Sequence, residues 1–154
     1  MSEAIKGQRR KLDFQSEAEV VSDINRLRAG NRKVAGKWTF GQTCWHLALP
    51  VKMCLRQPAT TEPNDAQRAM HARLDELIAA RGMPEGLPAP AGTEPPADAG
   101  PDAADDVLAD LAALTAYENT HVDFGPFGPV PVNKFREFVL IHAAHHLSFF
   151  EPTS

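Results

Sequence analysis

Residues 135–150 read FREFVLIHAAHHLSFF, and the register of that stretch decides the kind of fold. With about 3.6 residues per turn, positions four apart stack on one face of a helix. His142 and His146 are such a pair. With His142 at zero on the helical wheel, His146 lies about 40° to one side and His145 about 60° to the other, at roughly 100° per residue. Phe135, Phe138, Val139 and Phe149 fall in the same arc, so the pair points where the apolar side chains point. A buried ring nitrogen without a partner costs about 1–3 kcal/mol, so two imidazoles on one inward turn need a reason. A shared metal ion, for which neutral imidazole is a common ligand, is the best physical one.

Upstream of this helix the apolar pattern is helical again. Ser16-Glu17-Ala18-Glu19 has the form of a capping box, followed by Val20, Ile24 and Leu27 at helical spacing and by Gly30 as a stop. Arg32 and Lys33 fall in the next connection and read as solvated. Thr39-Phe40-Gly41-Gln42 repeats the capping logic and opens a second helix that runs to about Gln57, with Pro58 at its end. Pro50 should bend it, because proline removes a backbone donor and crowds the preceding turn. His46 shares a face of this helix with Gln42, Leu49 and Met53, so it too points inward. Asn64-Asp65-Ala66-Gln67 starts an additional short helix with Met70, Leu74, Leu77 and Ile78 as its stripe, closing at Gly82. His71 lies off that stripe, exposed or at a boundary.

Residues 83–101 are dense in proline and glycine, which excludes a helix or a central strand. A connection that long is a functional loop or a strap. Asp102 is expected to cap the next helix, with Asp105 and Asp106 in its first turn, where the dipole favours negative charge. Val107, Leu108, Leu111 and Leu114 form its stripe, and Tyr117 ends it. The stretch HVDFGPFGPVP, 121–131, is too broken for regular structure and delivers the chain to the last helix, which starts near Pro131 or Val132. Five helical segments and no convincing strand give an all-α class. The natural architecture is a helix bundle in which four long antiparallel helices carry the third segment. Residues 1–14 read as a loose lead-in from which Leu12 and Phe14 pack onto the body.

The bulk numbers agree with a globular chain. At 154 residues it is one domain by size, and 43% hydrophobic with 23% charged residues is ordinary for a soluble protein. A net charge of −4 leaves no basic footprint, so nucleic acid is not an expected partner. The first residues lack the apolar core of a signal peptide, and no apolar run approaches the roughly 18 residues of a membrane span. A cytoplasmic protein without a membrane partner is expected. Cys44 and Cys54 fall on one helix about 15 Å apart, beyond the ~7 Å a disulfide allows, and read as small buried hydrophobes or free thiols.

His46 on the second helix and His142 and His146 on the last would hold a divalent ion on three sides. Three protein ligands with a position left for water or substrate is the catalytic pattern rather than the closed structural one. Such an ion lowers the pKa of bound water toward about 7, polarises a carbonyl or holds a thiolate. For any one of these histidines an ordinary core imidazole is the simpler reading; three on inward faces favour the metal. His145 is the alternative to His146 as ligand, or else lines the pocket or donates to a carboxylate. His121 is a candidate fourth ligand or pocket acid/base, or lies merely near the site. Gln42 is a cap partner and then a pocket donor. Trp38, Trp45, Phe124 and Phe127 read first as packing and second as a substrate wall. Glu118 and Asp123 are candidate general bases.

Two of these stretches carry a family resemblance. Trp38-Thr39-Phe40-Gly41-Gln42-Thr43-Cys44-Trp45-His46-Leu47 resembles the W-[ST]-x-x-Q-x-x-x-H-L signature of the DinB/YfiT-like metalloenzymes. His142-Ala143-Ala144-His145-His146-Leu147 is similar to their H-x-x-H-H-L signature. Residues 121–128 resemble the H-P-x-F-G segment of an uncharacterised branch of that family, departing from it at Val122, where the branch shows proline. The resemblance covers about residues 8–150. It implies a four-helix bundle with a three-histidine divalent-metal site, carried onto His46, His142 and His146, with nickel or zinc among the family's metals. Relatives include transferases and isomerases that use low-molecular-weight thiols, and many are dimers. The function expected is therefore a divalent-metal-dependent enzyme acting on a small molecule, a hydrolase or a small-thiol-dependent transferase. The alternatives are a non-catalytic, metal-stabilised module that binds a small molecule or partner, and a metal-free bundle that dimerises through an exposed helix face.

Overall fold

The structure is a computed structural model that describes residues 9–56, 62–83 and 92–153. Among these, five helices dominate: α1 (Glu17–Ala29), α2 (Phe40–Leu55), α3 (Asp65–Ala80), α4 (Asp102–Thr115) and α5 (Val132–Leu147). The expected end of α2 at Gln57 and Pro58, and the 84–91 part of the proline-rich connection, lie outside the described residues. Among the described residues no helix is long and apolar enough to cross a membrane.

Local chemistry accounts for most helix starts. Thr39 and Gln42 form a full reciprocal capping box on α2, at 3.1 and 2.9 Å, and Asn64 and Gln67 do the same on α3, at 2.8 and 2.9 Å. At α1, Ser16 accepts from the Glu19 N–H as expected, but the Glu19 carboxylate reaches one residue further back, to the Gln15 N–H. Asp102 does not cap α4. Pro101 holds the N-cap position with no side-chain bond, and main-chain bonds from Ala103 to Gly100 and from Ala104 to Pro101 satisfy donors there. Asp102 is the first helical residue, left with only its interaction with the dipole.

The segment α3 is not short. It has 16 residues, as many as α2 and α5, but Leu74 is its only buried residue. It stops at Arg81, which adopts the left-handed conformation (φ 52) one residue ahead of Gly82. Arg81 is held there by its guanidinium bonds to Asp13, Glu137 and the Phe14 carbonyl. The helix α2 runs through Pro50 uninterrupted, and the hydrogen bond that Pro50 withholds is the one to the His46 carbonyl. Met53 is 58% exposed, so the inward face of α2 does not extend to it.

Among the described residues, four three-residue strands correct the expectation of a strand-free chain. β1 (Arg32–Val34) pairs antiparallel with β4 (Phe150–Pro152), in the register Arg32 to Pro152 and Val34 to Phe150. β2 (His121–Asp123) pairs with β3 (Pro129–Pro131) around a one-turn 3-10 helix, Gly125–Phe127. The stretch that looked too broken is thus a hairpin, and its prolines are tolerated because β3 has a partner on one side only. The last helix accordingly ends at Leu147, three residues early. The Ser148 hydroxyl turns back onto the His145 carbonyl at 2.5 Å, and Phe150 goes to the strand. Arg32 is not simply solvated: its guanidinium lies 4.5 Å over the Phe40 ring and donates to the Leu27 carbonyl.

The core joins α1, α2, α4 and α5, with Ile24, Leu27, Val51, Leu111, Phe135 and Leu147 among its best-buried members. The hairpin adds Val122 and Val130. Cys44 and Cys54 are buried and free, and burial pushes both thiols up to about 12. They behave as small hydrophobes. Residues 9–14 carry no regular element but are bonded to the body. Arg10 makes two 2.8 Å bonds to the buried Asp23 and a third to the Leu147 carbonyl, while Phe14 is buried and Leu12 packs on the core.

Arg10 is the sole cation on Asp23 among the described residues. Arg10→Ala should lower unfolding stability by about 3 kcal/mol, the cost of a buried carboxylate stripped of its partner; urea denaturation at neutral pH measures it.

Candidate metal centre

The side of α2 that faces α5 presents His46, and α5 presents His142 and His146. Nε2 of His46 lies 3.0 Å from Nε2 of His142. One ring nitrogen from each of the three lies within 4.8 Å of the others. Ring centroids are 4.9 Å apart for His46 and His142, 4.6 Å for His46 and His146, and 4.7 Å for His142 and His146. The three rings meet edge to face, at interplanar angles of 65–85°, so they converge on one point rather than stack. His46 and His142 are only 5% and 6% exposed, and His146 is half-buried.

Aromatic side chains close the flanks. Trp38, on the loop between β1 and α2, stacks on His146 at 5.4 Å and tilts against His46 at 4.9 Å. Phe138, one turn before His142, stacks on it at 5.1 Å. Phe124 of the hairpin backs Phe138 at 4.9 Å.

Proton bookkeeping tests whether these residues suit a cation. A carbonyl oxygen only accepts, so the 2.8 Å contact between His46 Nδ1 and the Thr93 carbonyl places the proton on Nδ1. Nε2 of neutral His46 then turns its lone pair toward the cluster. Burial lowers the His46 pKa, partly offset by the Thr93 bond. Burial, then the neighbouring His146, His46 and His145, holds His142 well below the usual histidine value. Burial, His46, His145 and the Arg9 guanidinium bring His146 down to about 3. All three are neutral at ordinary pH, which is the ligating form of imidazole. The cluster can hold a metal ion.

The other sequence candidates are placed differently. His145 is not one of the trio: its ring lies beside His146, 4.8 Å between centroids, the Arg9 guanidinium donates to its Nδ1 at 3.3 Å, and it also meets the Phe149 ring. Of the two neighbours on α5, the cluster takes His146. His121 is exposed on β2 beside the Thr120 hydroxyl, 3.0 Å away, and is outside the trio. Gln42 completes the α2 capping box and also donates to the Pro96 carbonyl at 3.3 Å. Trp45 is half-buried against the core. The Phe127 ring packs on Phe124 at 4.8 Å, and its carbonyl accepts from His71 at 2.7 Å. Glu118 and Asp123 are exposed. Thr93 and Arg9 were not foreseen. Thr93 acts through a main-chain carbonyl, which leaves no residue signature, and the unusual length of the 83–101 connection was the only hint.

Fold and site together define a mostly helical protein whose two facing helices bring three imidazoles to one point able to hold a cation. The chain belongs to the family described as protein of unknown function (DUF1569), whose model matches residues 6–153. No curated protein and no solved structure matches it.

The depressed His146 value sets a sign for the pH dependence. Between about 6.5, the unfolded value, and the folded value the unfolded chain binds a proton that the folded chain does not. This contribution to stability is unchanged above about 6.5 and is lost progressively as pH falls toward 3. In chelator-treated protein, His146→Gln should therefore lose stability less steeply than wild type between pH 6.5 and 4, as read from urea midpoints across that range.

Proposed function

We propose that this protein is a divalent-metal-dependent enzyme whose ion is held by His46, His142 and His146, on a four-helix bundle of the DinB/YfiT-like kind. The observation that carries the reading is the convergence of three neutral imidazole nitrogens within 4.8 Å, one of them with its tautomer set by a main-chain carbonyl. In this reading α1, α2, α4 and α5 are the four bundle helices and α3 is the appended one. Three neutral ligands leave the charge of a nickel or zinc ion uncompensated and part of its coordination sphere open, which suits Lewis-acid chemistry on an oxygen or a thiol.

The substrate is a small molecule, and the reaction is hydrolysis or transfer to a low-molecular-weight thiol. Trp38 and Phe138 supply the apolar walls beside the ion, with Phe124 behind them. Trp45, Phe127, His145, His121 and Gln42 lie further out or are engaged elsewhere. The protein works in the cytoplasm as a homodimer, with neither nucleic acid nor membrane as partner.

One observation favours a second reading. His46 and His142 are almost wholly covered and Trp38 stacks on the His146 ring, so the ion would serve as a staple in a non-catalytic binding module. The coordination sphere separates the two: an exchangeable water position belongs to the enzyme, a closed shell to the module.

Elemental analysis of freshly isolated protein should find close to one divalent ion per chain. His46→Ala, His142→Ala and His146→Ala should each lose it, and His145→Ala and His121→Ala should keep it. Unchanged stoichiometry in the first three variants would remove the metal site. With metal established, turnover of thiol and electrophile pairs against simple esters and amides divides transferase from hydrolase.

A further inference from the structure

Residues 92–100 form no helix or strand, yet they are seated on the first two turns of α2 at three places, running antiparallel to it. The Thr93 carbonyl accepts from His46 Nδ1 at 2.8 Å. The Pro96 carbonyl accepts from the Gln42 side chain at 3.3 Å. The Ala99 and Gly100 carbonyls lie so close to Gly41 that a Cβ there would sit 2.5 and 2.6 Å from them. Only a glycine on that turn of α2 allows this approach, because the atoms met are backbone and cannot swing aside.

These contacts bear on the cluster through one atom. An imidazole has two nitrogens, and the partner of one decides which carries the proton. With Thr93 in place the proton is on Nδ1 and Nε2 is free to ligate. Without it the proton can sit on Nε2, facing the other two rings, where it blocks ligation by His46 and adds a donor among groups that already share one proton at 3.0 Å.

We propose that segment 92–100 is a latch whose Thr93 carbonyl is a positioning group for His46, so that seating of the latch and loading of the metal are linked. The linkage is reciprocal: whatever factor the seated latch adds to metal affinity, the bound metal adds to latch seating. The proposal rests on the three-histidine reading for its metal half, and on the hydrogen bond alone for its tautomer half.

Two variants unseat the latch while sparing α2. Gly41→Ala places a methyl group against the Ala99 and Gly100 carbonyls and is a better helix former than glycine. Gln42→Glu keeps the capping box, which accepts glutamate as readily as glutamine, but removes the donor to Pro96 and sets a carboxylate against that carbonyl. Gly128→Ala is the control: Gly128 has φ +68, and a Cβ there would meet the Gln67 side chain, so the variant strains the hairpin without touching the latch. Zn²⁺ affinity is measured by chelator competition, and the protonation of each His46 nitrogen in metal-free protein by ¹⁵N NMR.

Gly41→Ala and Gln42→Glu should each weaken Zn²⁺ binding by roughly 10–100-fold, the range typical of lost partners to a ligating histidine. Both should lose the Nδ1-protonated signature of His46 at unchanged helical circular dichroism. Gly128→Ala should lose stability and keep the Nδ1-protonated signature of His46, since it leaves the Thr93 bond alone. Wild-type affinity in both latch variants overturns the linkage, and a retained Nδ1–H in both overturns the positioning role. If wild-type protein binds no Zn²⁺, the metal reading fails separately and the His46 tautomer in the variants still decides the latch.

Discussion

Three neutral imidazoles held edge to face in a nearly dry interior are a costly arrangement, and much of this structure serves to maintain it. Burial lowers the proton affinity of all three rings, and His46 lowers that of His142 and His146 further. Such a cluster is stable when its polar atoms have partners. The protein supplies some: the Thr93 carbonyl for His46, and His142 and His46 for one another. A cation at the convergence point would satisfy the remaining lone pairs. A local departure from apolar packing on this scale is the usual mark of a functional site.

The surroundings keep the two facing helices in register. The β1–β4 pair ties the loop bearing Trp38 to the chain beyond α5. The end of α5 is held again by Arg9, which donates to the Ser148 hydroxyl and the His145 carbonyl and lies 4.0 Å over the Phe149 ring. The same guanidinium donates to His145 Nδ1, while the adjacent His146 belongs to the trio. On the far side, α3 clamps the hairpin through the His71 bond to the Phe127 carbonyl and the close fit of Gln67 at Gly128. That clamp seats Phe124, which in turn backs Phe138 and the His142 ring.

Legibility followed interaction range. Capping at Thr39 and Asn64 is a matter of three residues and was read correctly, as were the inward faces of α1, α4 and α5. Asp102 misled because an acidic residue before an apolar stripe looks like a cap, whereas the Gly100 and Pro101 carbonyls already accept from the Ala103 and Ala104 N–H groups. Three-residue strands carry too little alternation to register, and prolines at 129 and 131 argued against them locally. Arg81 stands where a glycine was expected because Asp13 and Glu137 hold it there, and neither is near it in sequence. Met53 lies on the inward face of α2 by periodicity, yet it is 58% exposed, while Val51 and Cys54 beside it are buried.

By itself the sequence determined the helical class, the approximate extent of each helix, and the inward direction of His46, His142 and His146. These depend on spacings of three or four residues, within reach of a single turn. Tertiary structure alone decided that His46 meets a partner 96 residues away, that a carbonyl 47 residues downstream sets its tautomer, and that His145, beside the trio, is met by Arg9 from 136 residues away. The physical reason is that helical periodicity states which way a side chain points, whereas what it meets there depends on how distant segments pack.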